Sequence, residues 1–232
     1  MDSNELDNWL DELLRRLKHA FGSRLLFVGL VGSHARGEAT DASDIDINAV
    51  LDEVTAGDLL AYRNLLGGMP GKACGFLCGL EELRAWPRYE LFGLHSNCRA
   101  LHGDLRSLVD MPTTGDIRDA VKISVAAINH EARHRLIYGA DLCAQAEKAA
   151  GAYKAATFAL FAWAALSTGI WCCKKQDLMD TLTDQLDRQV LETHLRWGSL
   201  SDERDTDPAH CLAMLSDWSS SLLRRADAFP TK

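Results

Sequence analysis

Residues 25 to 51, LLFVGLVGSHARGEATDASDIDINAVL, constrain the fold more than any other part of this chain. Leu25 to Val31 is an apolar run of strand length, and Gly32-Ser33 breaks it. His34 to Ala42 shows no apolar period. From Ser43 the pattern alternates, with Asp44 and Asp46 on one side and Ile45 and Ile47 on the other, followed by Val50 and Leu51. Side chains on a strand repeat every two residues, so the two aspartates share a face. Like charges held that close repel, and a purely structural strand gains nothing from them. Divalent cations resolve the conflict, because Mg2+ takes hard carboxylate oxygens and keeps sites for water and substrate phosphates.

The Gly32-Ser33 break suits the same chemistry. Glycine lets a backbone come close to a phosphate, and the Ser33 hydroxyl with N–H groups at the start of a short helix can hold its oxygens. A glycine turn before a surface strand of solvated aspartates would explain either half alone. The order and the spacing, with Asp44 eleven residues after Ser33, favour a site.

GSHARGEATDASDID resembles the signature of the DNA polymerase beta-like nucleotidyltransferase superfamily, a Gly-Ser turn followed by Asp-x-Asp. Within it the stretch is similar to the minimal and aminoglycoside-modifying nucleotidyltransferases, which carry an Arg and a Gly after the Gly-Ser, as Arg36 and Gly37 do here. The resemblance implies that Asp44 and Asp46 are catalytic and hold Mg2+. It also implies that Gly32, Ser33, Arg36 and Ser43 bind a nucleoside triphosphate, ATP being the expected one.

At 232 residues the chain has room for one large domain or two small ones. A hydrophobic share of 47% with 25% charged residues is globular composition and excludes a disordered or fibrous chain. The longest apolar stretch, Ala155 to Ala165, is shorter than a membrane span, and the acidic start MDSNELDNWL is no secretory signal. Seven cysteines without CxxC spacing read as reduced thiols of a cytoplasmic protein. A net charge of −8 opposes long-range attraction to nucleic acid and is compatible with a cationic small acceptor.

In order along the chain, residues 4 to 21 pattern as an amphipathic helix, and Val54 to Leu66 as a second one ended by Gly67-Gly68. Lys72 to Cys78 is strand-like, and Glu81 to Trp86 and Arg88 to Leu94 read as short helices about Pro87. Residues 97 to 111 read as a polar connection, which sets a boundary between a nucleotidyltransferase domain over 1–110 and a helical domain over 111–232. Beyond it the expected helices are Thr114 to Tyr138, Asp141 to Ala150, Tyr153 to Ser167, Lys175 to Thr183, Gln185 to Trp197, and a last one opened by Asp207-Pro208. The fold class is therefore an α/β (α+β) N-terminal domain with a small mixed sheet, then an all-α bundle.

The superfamily places a third metal carboxylate on the strand after Asp-x-Asp, and KACGFLC has none. Cys74 stands closest to that position, judged from the downstream tryptophan shared with streptomycin/spectinomycin-type adenylyltransferases. A neutral thiol is a poor Mg2+ ligand. Glu81, Glu82 and Glu90 are the available substitutes, and nucleotide binding without turnover is the alternative outcome. STGIWCCKKQDL (Ser167 to Leu178) is similar to the Thr-Gly-to-Lys segment of the helical domain in aminoglycoside adenylyltransferases, which implies that Lys174 lies near the nucleotide phosphates.

His130-Glu131-Ala132-Arg133-His134 is a literal HExxH, whose i, i+4 imidazoles could hold zinc with Glu131 as base. It needs a third ligand, with Asp141 and Glu147 as candidates, and otherwise reads as an ordinary bundle helix. Arg204 to His210 has an Arg-x5-His spacing that Pro208 interrupts. The function expected is transfer of a nucleoside monophosphate from NTP to the hydroxyl of a small acceptor, an aminoglycoside-like molecule among the candidates, with the helical bundle closing over the site.

Overall fold

The computed structural model describes residues 3–139, 142–200 and 208–231, without the side chains of residues 3, 142–148, 198–200 and 208. Asp141, Glu147, the 201–207 segment with Arg204, and the Asp207 cap lie outside that description. The chain divides into two compact units, Met1–Met111 and Pro112–Lys232.

In the first unit, helix α1 (Ser3–Phe21) leads through a short turn into strand β1 (Leu25–Val31). Helix α2 (Gly32–Arg36) and a loop connect β1 to strand β2 (Ile45–Leu51). Helix α3 (Ala56–Gly67) then crosses to strand β3 (Ala73–Gly79). Helices α4 (Leu80–Ala85) and α5 (Leu91–Ser96), strand β4 (Arg99–His102) and helix α6 (Leu105–Leu108) complete the unit. The sheet order is β3-β2-β1-β4, with β2 and β3 parallel and the other pairs antiparallel. It is a small mixed sheet, as the α+β expectation required.

Strand alternation splits the core in two. Val28, Leu30, Ile45, Ile47, Ala49 and Leu51 meet Trp9, Leu10, Leu13, Leu17 and Phe21 of α1, with Tyr62 and Leu65 of α3 beside them. The opposite face carries Phe27, Val50 and Cys78 against Leu83, Leu91, Leu94, Leu105 and Val109. Only the part of that second face nearer Leu51 than Ile45 is apolar, so the rest is available for chemistry. Arg24, entering β1, bonds Asp52 after β2 at 3.0 Å and Asp58 in α3 at 2.8 and 3.0 Å. Asp58 and Thr55 also form the capping box of α3.

Strand β4 and helix α6 replace the polar connection expected over 97–111. RALH is too short for an alternation to register, and its pairing with β1 makes it a strand.

The second unit is a bundle of α7 (Thr114–Tyr138), α8 (Leu142–Thr168), α9 (Lys175–Thr181), α10 (Gln185–Leu200) and α11 (Pro208–Ala228). Helix α7 packs on α8 and α11, and α10 packs on α8. Two separate helices were expected across 141–167, but α8 is continuous: Gly151 faces open space, and a glycine costs a long helix only about 1 kcal/mol. Helix α10 likewise runs past Gly198.

By length and composition Ala149–Thr168 could cross a membrane, contrary to the expectation from the shorter apolar run. The window is 61% buried, and Tyr153, Ala156 and Leu160 are core residues, which accounts for its apolar character. Asp187 is buried at 1% exposure and accepts bonds from Trp218 Nε1 at 2.9 Å and from both Arg225 terminal nitrogens at 2.9 and 2.6 Å. Arg225 also lies 5.3 Å from the Trp163 ring centroid, so that tryptophan packs in the bundle.

Candidate functional site

Gly32 ends β1 with φ +70, and a Cβ there would lie 2.0 Å from Asp46 Oδ2. The left-handed turn and the missing side chain together let the Asp46 carboxylate rest against the Gly-Ser bend. Strand register gives the same placement, since Val31 pairs with Asp46. Asp44 immediately precedes β2, is exposed, and falls on the Asp46 face by the two-residue period. Asp46 and the bend expected from sequence are therefore adjacent, with Asp44 two residues before Asp46.

The loop between them is internally closed. Gly37 is left-handed (φ 69) and caps α2, and the Glu38 N–H donates to Ser33 O at 2.9 Å. Arg36 Nε donates to Glu38 Oε2 at 3.0 Å, and that arginine side chain is 9% exposed. Its charge is met by Glu38, so its action on a phosphate is shared with a carboxylate. Ser43 Oγ accepts the Thr40 N–H at 2.9 Å and so shapes the turn before Asp44. The Ser33 hydroxyl, half-buried, bonds to no group among the described residues.

Cys74 pairs in register with Asp46 across the parallel β2–β3 ladder, and it is exposed. The position beside the second aspartate thus carries a thiol. Among the described residues no three His, Cys, Asp or Glu side chains gather as a metal-binding group. Glu81 and Glu82 follow Gly79, at the far end of β3, roughly 17 Å of strand from Cys74. Glu81 is paired with Arg84, and Glu82 accepts the Gly79 N–H at 2.8 Å. Distance and engagement exclude both as substitutes. Gly75, next to Cys74, has φ +119, and a Cβ there would meet Ile47 O at 1.9 Å, so only glycine keeps β3 at this spacing from β2.

Asn48 was not singled out in the sequence. It lies two residues beyond Asp46 on the same face, is 7% exposed, and pairs with Gly29 on β1 and Phe76 on β3. The signal was the next step of the same alternation, D-x-D-x-N.

The donor set suits a hard divalent cation. Two carboxylates on one face, next to a bend that no side chain fills, offer oxygens and leave room for water and phosphate. Asp44 and Asp46 are the residues that would hold Mg2+.

Lys174 belongs to the second unit. It occupies the N-cap position of α9 in extended conformation, is exposed, and its ammonium meets no partner among the described residues. The HExxH residues lie on α7 with the His130 and His134 rings 6.0 Å apart, while Glu131 forms an ion pair with Arg135. A base already neutralised by arginine does not suit zinc hydrolysis, and Asp141 and Glu147 fall outside the described side chains.

Comparison with known proteins adds three findings. A sequence model of the family described as Nucleotidyltransferase domain matches residues 10–73, ending one residue before Cys74. A curated Methanocaldococcus jannaschii protein, provisionally named a protein adenylyltransferase, is 47% identical over 47 residues. The matched segment is 20% of this chain and spans about a third (32%) of that relative's length. The solved spectinomycin adenyltransferase from Enterococcus faecialis with ATP and spectinomycin matches with a TM-score of 0.58 at 12% identity, over 92% of this chain and 98% of that one. At such identity the likeness establishes the fold alone.

Proposed function

We infer that the chain moves a nucleoside monophosphate from an NTP, ATP first, to a hydroxyl of a small-molecule acceptor, a reading supported by the match of residues 10–73 to the nucleotidyltransferase domain and by the adenylyltransferase relative. The observation that carries this is the Asp46 carboxylate lodged against the left-handed Gly32 turn, with Asp44 on the same face. The acceptor oxygen forms a bond to the α-phosphorus, and the bond to the oxygen bridging the β-phosphorus breaks. Pyrophosphate leaves with that electron pair, and the hydroxyl proton passes to a base.

Gly32 and the Ser33 hydroxyl receive the terminal phosphates at the bend. Asp44 and Asp46 would hold Mg2+, which when bound would supply charge neutralisation at the α-phosphate and a lowered hydroxyl pKa. Lys174, together with Arg36 as shared with Glu38, offsets triphosphate charge. The spectinomycin enzyme's acceptor supports a small polyhydroxylated one, and the archaeal relative's name makes a protein hydroxyl the second class to assay.

The test is pyrophosphate release from ATP and Mg2+ over a panel of aminoglycosides, other small alcohols and candidate protein acceptors. Wild type is expected to turn over on at least one, and Asp46→Asn to lose at least about a thousandfold in rate, the scale of removing transition-state charge stabilisation. An Asp46→Asn rate equal to wild type would sink the assignment. A second reading, nucleotide binding without turnover, is favoured by the thiol of Cys74 beside Asp46. Mg2+-dependent ATP binding with no pyrophosphate release over the whole panel would select it.

A further inference from the structure

We propose that Asn48 supplies a third oxygen ligand to the divalent-cation site, in the role for which Cys74 carries no oxygen. The inference rests on the nucleotidyltransferase reading of the aspartate pair and adds a residue to it. Period two along β2 puts Asp46 and Asn48 on one face, and the same alternation carried back one step reaches Asp44, just before the strand. The sheet neighbours of Asp46 and Asn48 on that face are Val31, Gly29, Cys74 and Phe76, and none brings a side-chain oxygen.

Burial sharpens the case. Asn48 is 7% exposed, yet no group among the described residues hydrogen-bonds its amide. Its amide is not among the polar groups sealed from solvent, so an oxygen that bonds to no protein group among the described residues is left open to a ligand. Gly29 opposite has no side chain, and the place its Cβ would take lies 2.3 Å from the Cys98 thiol, a weak donor. On the other side Phe76 offers only a ring. The chemistry fits the cation: a carboxamide oxygen is a hard neutral donor. Being neutral, it adds no repulsion to two carboxylates before the metal arrives. A third carboxylate would.

Mn2+ titration of the full chain, followed by electron paramagnetic resonance with a non-hydrolysable ATP analogue, tests this in wild type, Asp46→Asn, Asn48→Leu and Asn48→Asp. The leucine variant is expected to bind Mn2+ about tenfold or more weakly while its metal-free melting temperature holds, since the amide makes no hydrogen bond among the described residues. Asn48→Asp is expected to bind at least as tightly as wild type. Wild-type Mn2+ affinity in Asn48→Leu, with affinity lost in Asp46→Asn, overturns this inference and leaves the nucleotidyltransferase reading standing. Wild-type affinity in Asp46→Asn removes that reading, and this inference with it. Should the leucine variant not fold, Asn48→Asp decides, and binding weakened about tenfold there overturns the proposal.

Discussion

A single absent Cβ at Gly32 determines where the Asp46 carboxylate rests, and a single thiol at Cys74 determines what it lacks. Replacing that thiol by a carboxylate would place two negative charges side by side on neighbouring strands. In metal-free protein Cys74→Asp should therefore melt below wild type, and Mg2+ should raise its melting temperature by more than it raises that of wild type. In the active enzyme the same change should increase the rate about tenfold, roughly 1.4 kcal/mol of barrier. It should also restore activity to Asn48→Leu, because either side chain completes the ligand set. Thermal melts with and without Mg2+ and a double-mutant cycle on the rate check this. Equal Mg2+ shifts in both proteins would mean that position 74 does not face the cation. The aspartate pair and the bend were legible because spacing alone puts them on one face. Asn48, the next step of that alternation, was not singled out, since an asparagine in a strand points to no chemistry until its burial is known. The engagement of Arg36 by Glu38 and of Ser43 by Thr40 was equally hidden, because both depend on how the loop closes.

Among the elements, long periodic segments were readable and short or induced ones were not. Helix α1, strands β1 to β3 and helix α7 follow from amphipathic spacing and turn residues. Strand β4 exists because β1 offers it an edge, and α8 runs through Gly151 because bundle packing outweighs one weak position. Helix α3 shows how an element is anchored electrostatically. The Arg24 guanidinium first, then the Thr55 hydroxyl and N–H, hold the Asp58 carboxyl well below the usual carboxylate range. A depressed carboxylate pKa stabilises the fold above the unfolded value, near 3.9, and that contribution fades as pH falls towards the folded pKa. Wild type should therefore melt above Asp58→Asn by a constant margin from about pH 7 to 5, and the margin should shrink below about pH 4. Melts of the two proteins across that range measure it. A margin that grew on acidification would refute the ion-pair account.

Over the whole molecule, each unit has its own buried core, and the site residues expected from sequence divide between them: the bend and the aspartates in the first, Lys174 in the second. The fold class was legible because strand-like runs fall only in the first part of the chain and helical period alone continues beyond about residue 111. That the second unit shares in nucleotide binding is an expectation from the resemblance of the Lys174 segment, which no spacing within the sequence reports. Lys174 provides the measurement. Its ammonium sits at the N-cap of α9, where the helix dipole disfavours a cation, and it meets no partner among the described residues. A phosphate tail would reverse that penalty. Lys174→Ala should then raise KM for ATP about tenfold, the equivalent of 1.4 kcal/mol, with kcat changed far less, because such a contact binds ground and transition states alike. Asp46→Asn should show the opposite division, with the loss in kcat. Raising the ionic strength should narrow the gap between Lys174→Ala and wild type, as screening weakens the contact in the wild type alone. If KM for ATP stayed at the wild-type value in Lys174→Ala, the helical unit would have no share in holding the nucleotide through this residue.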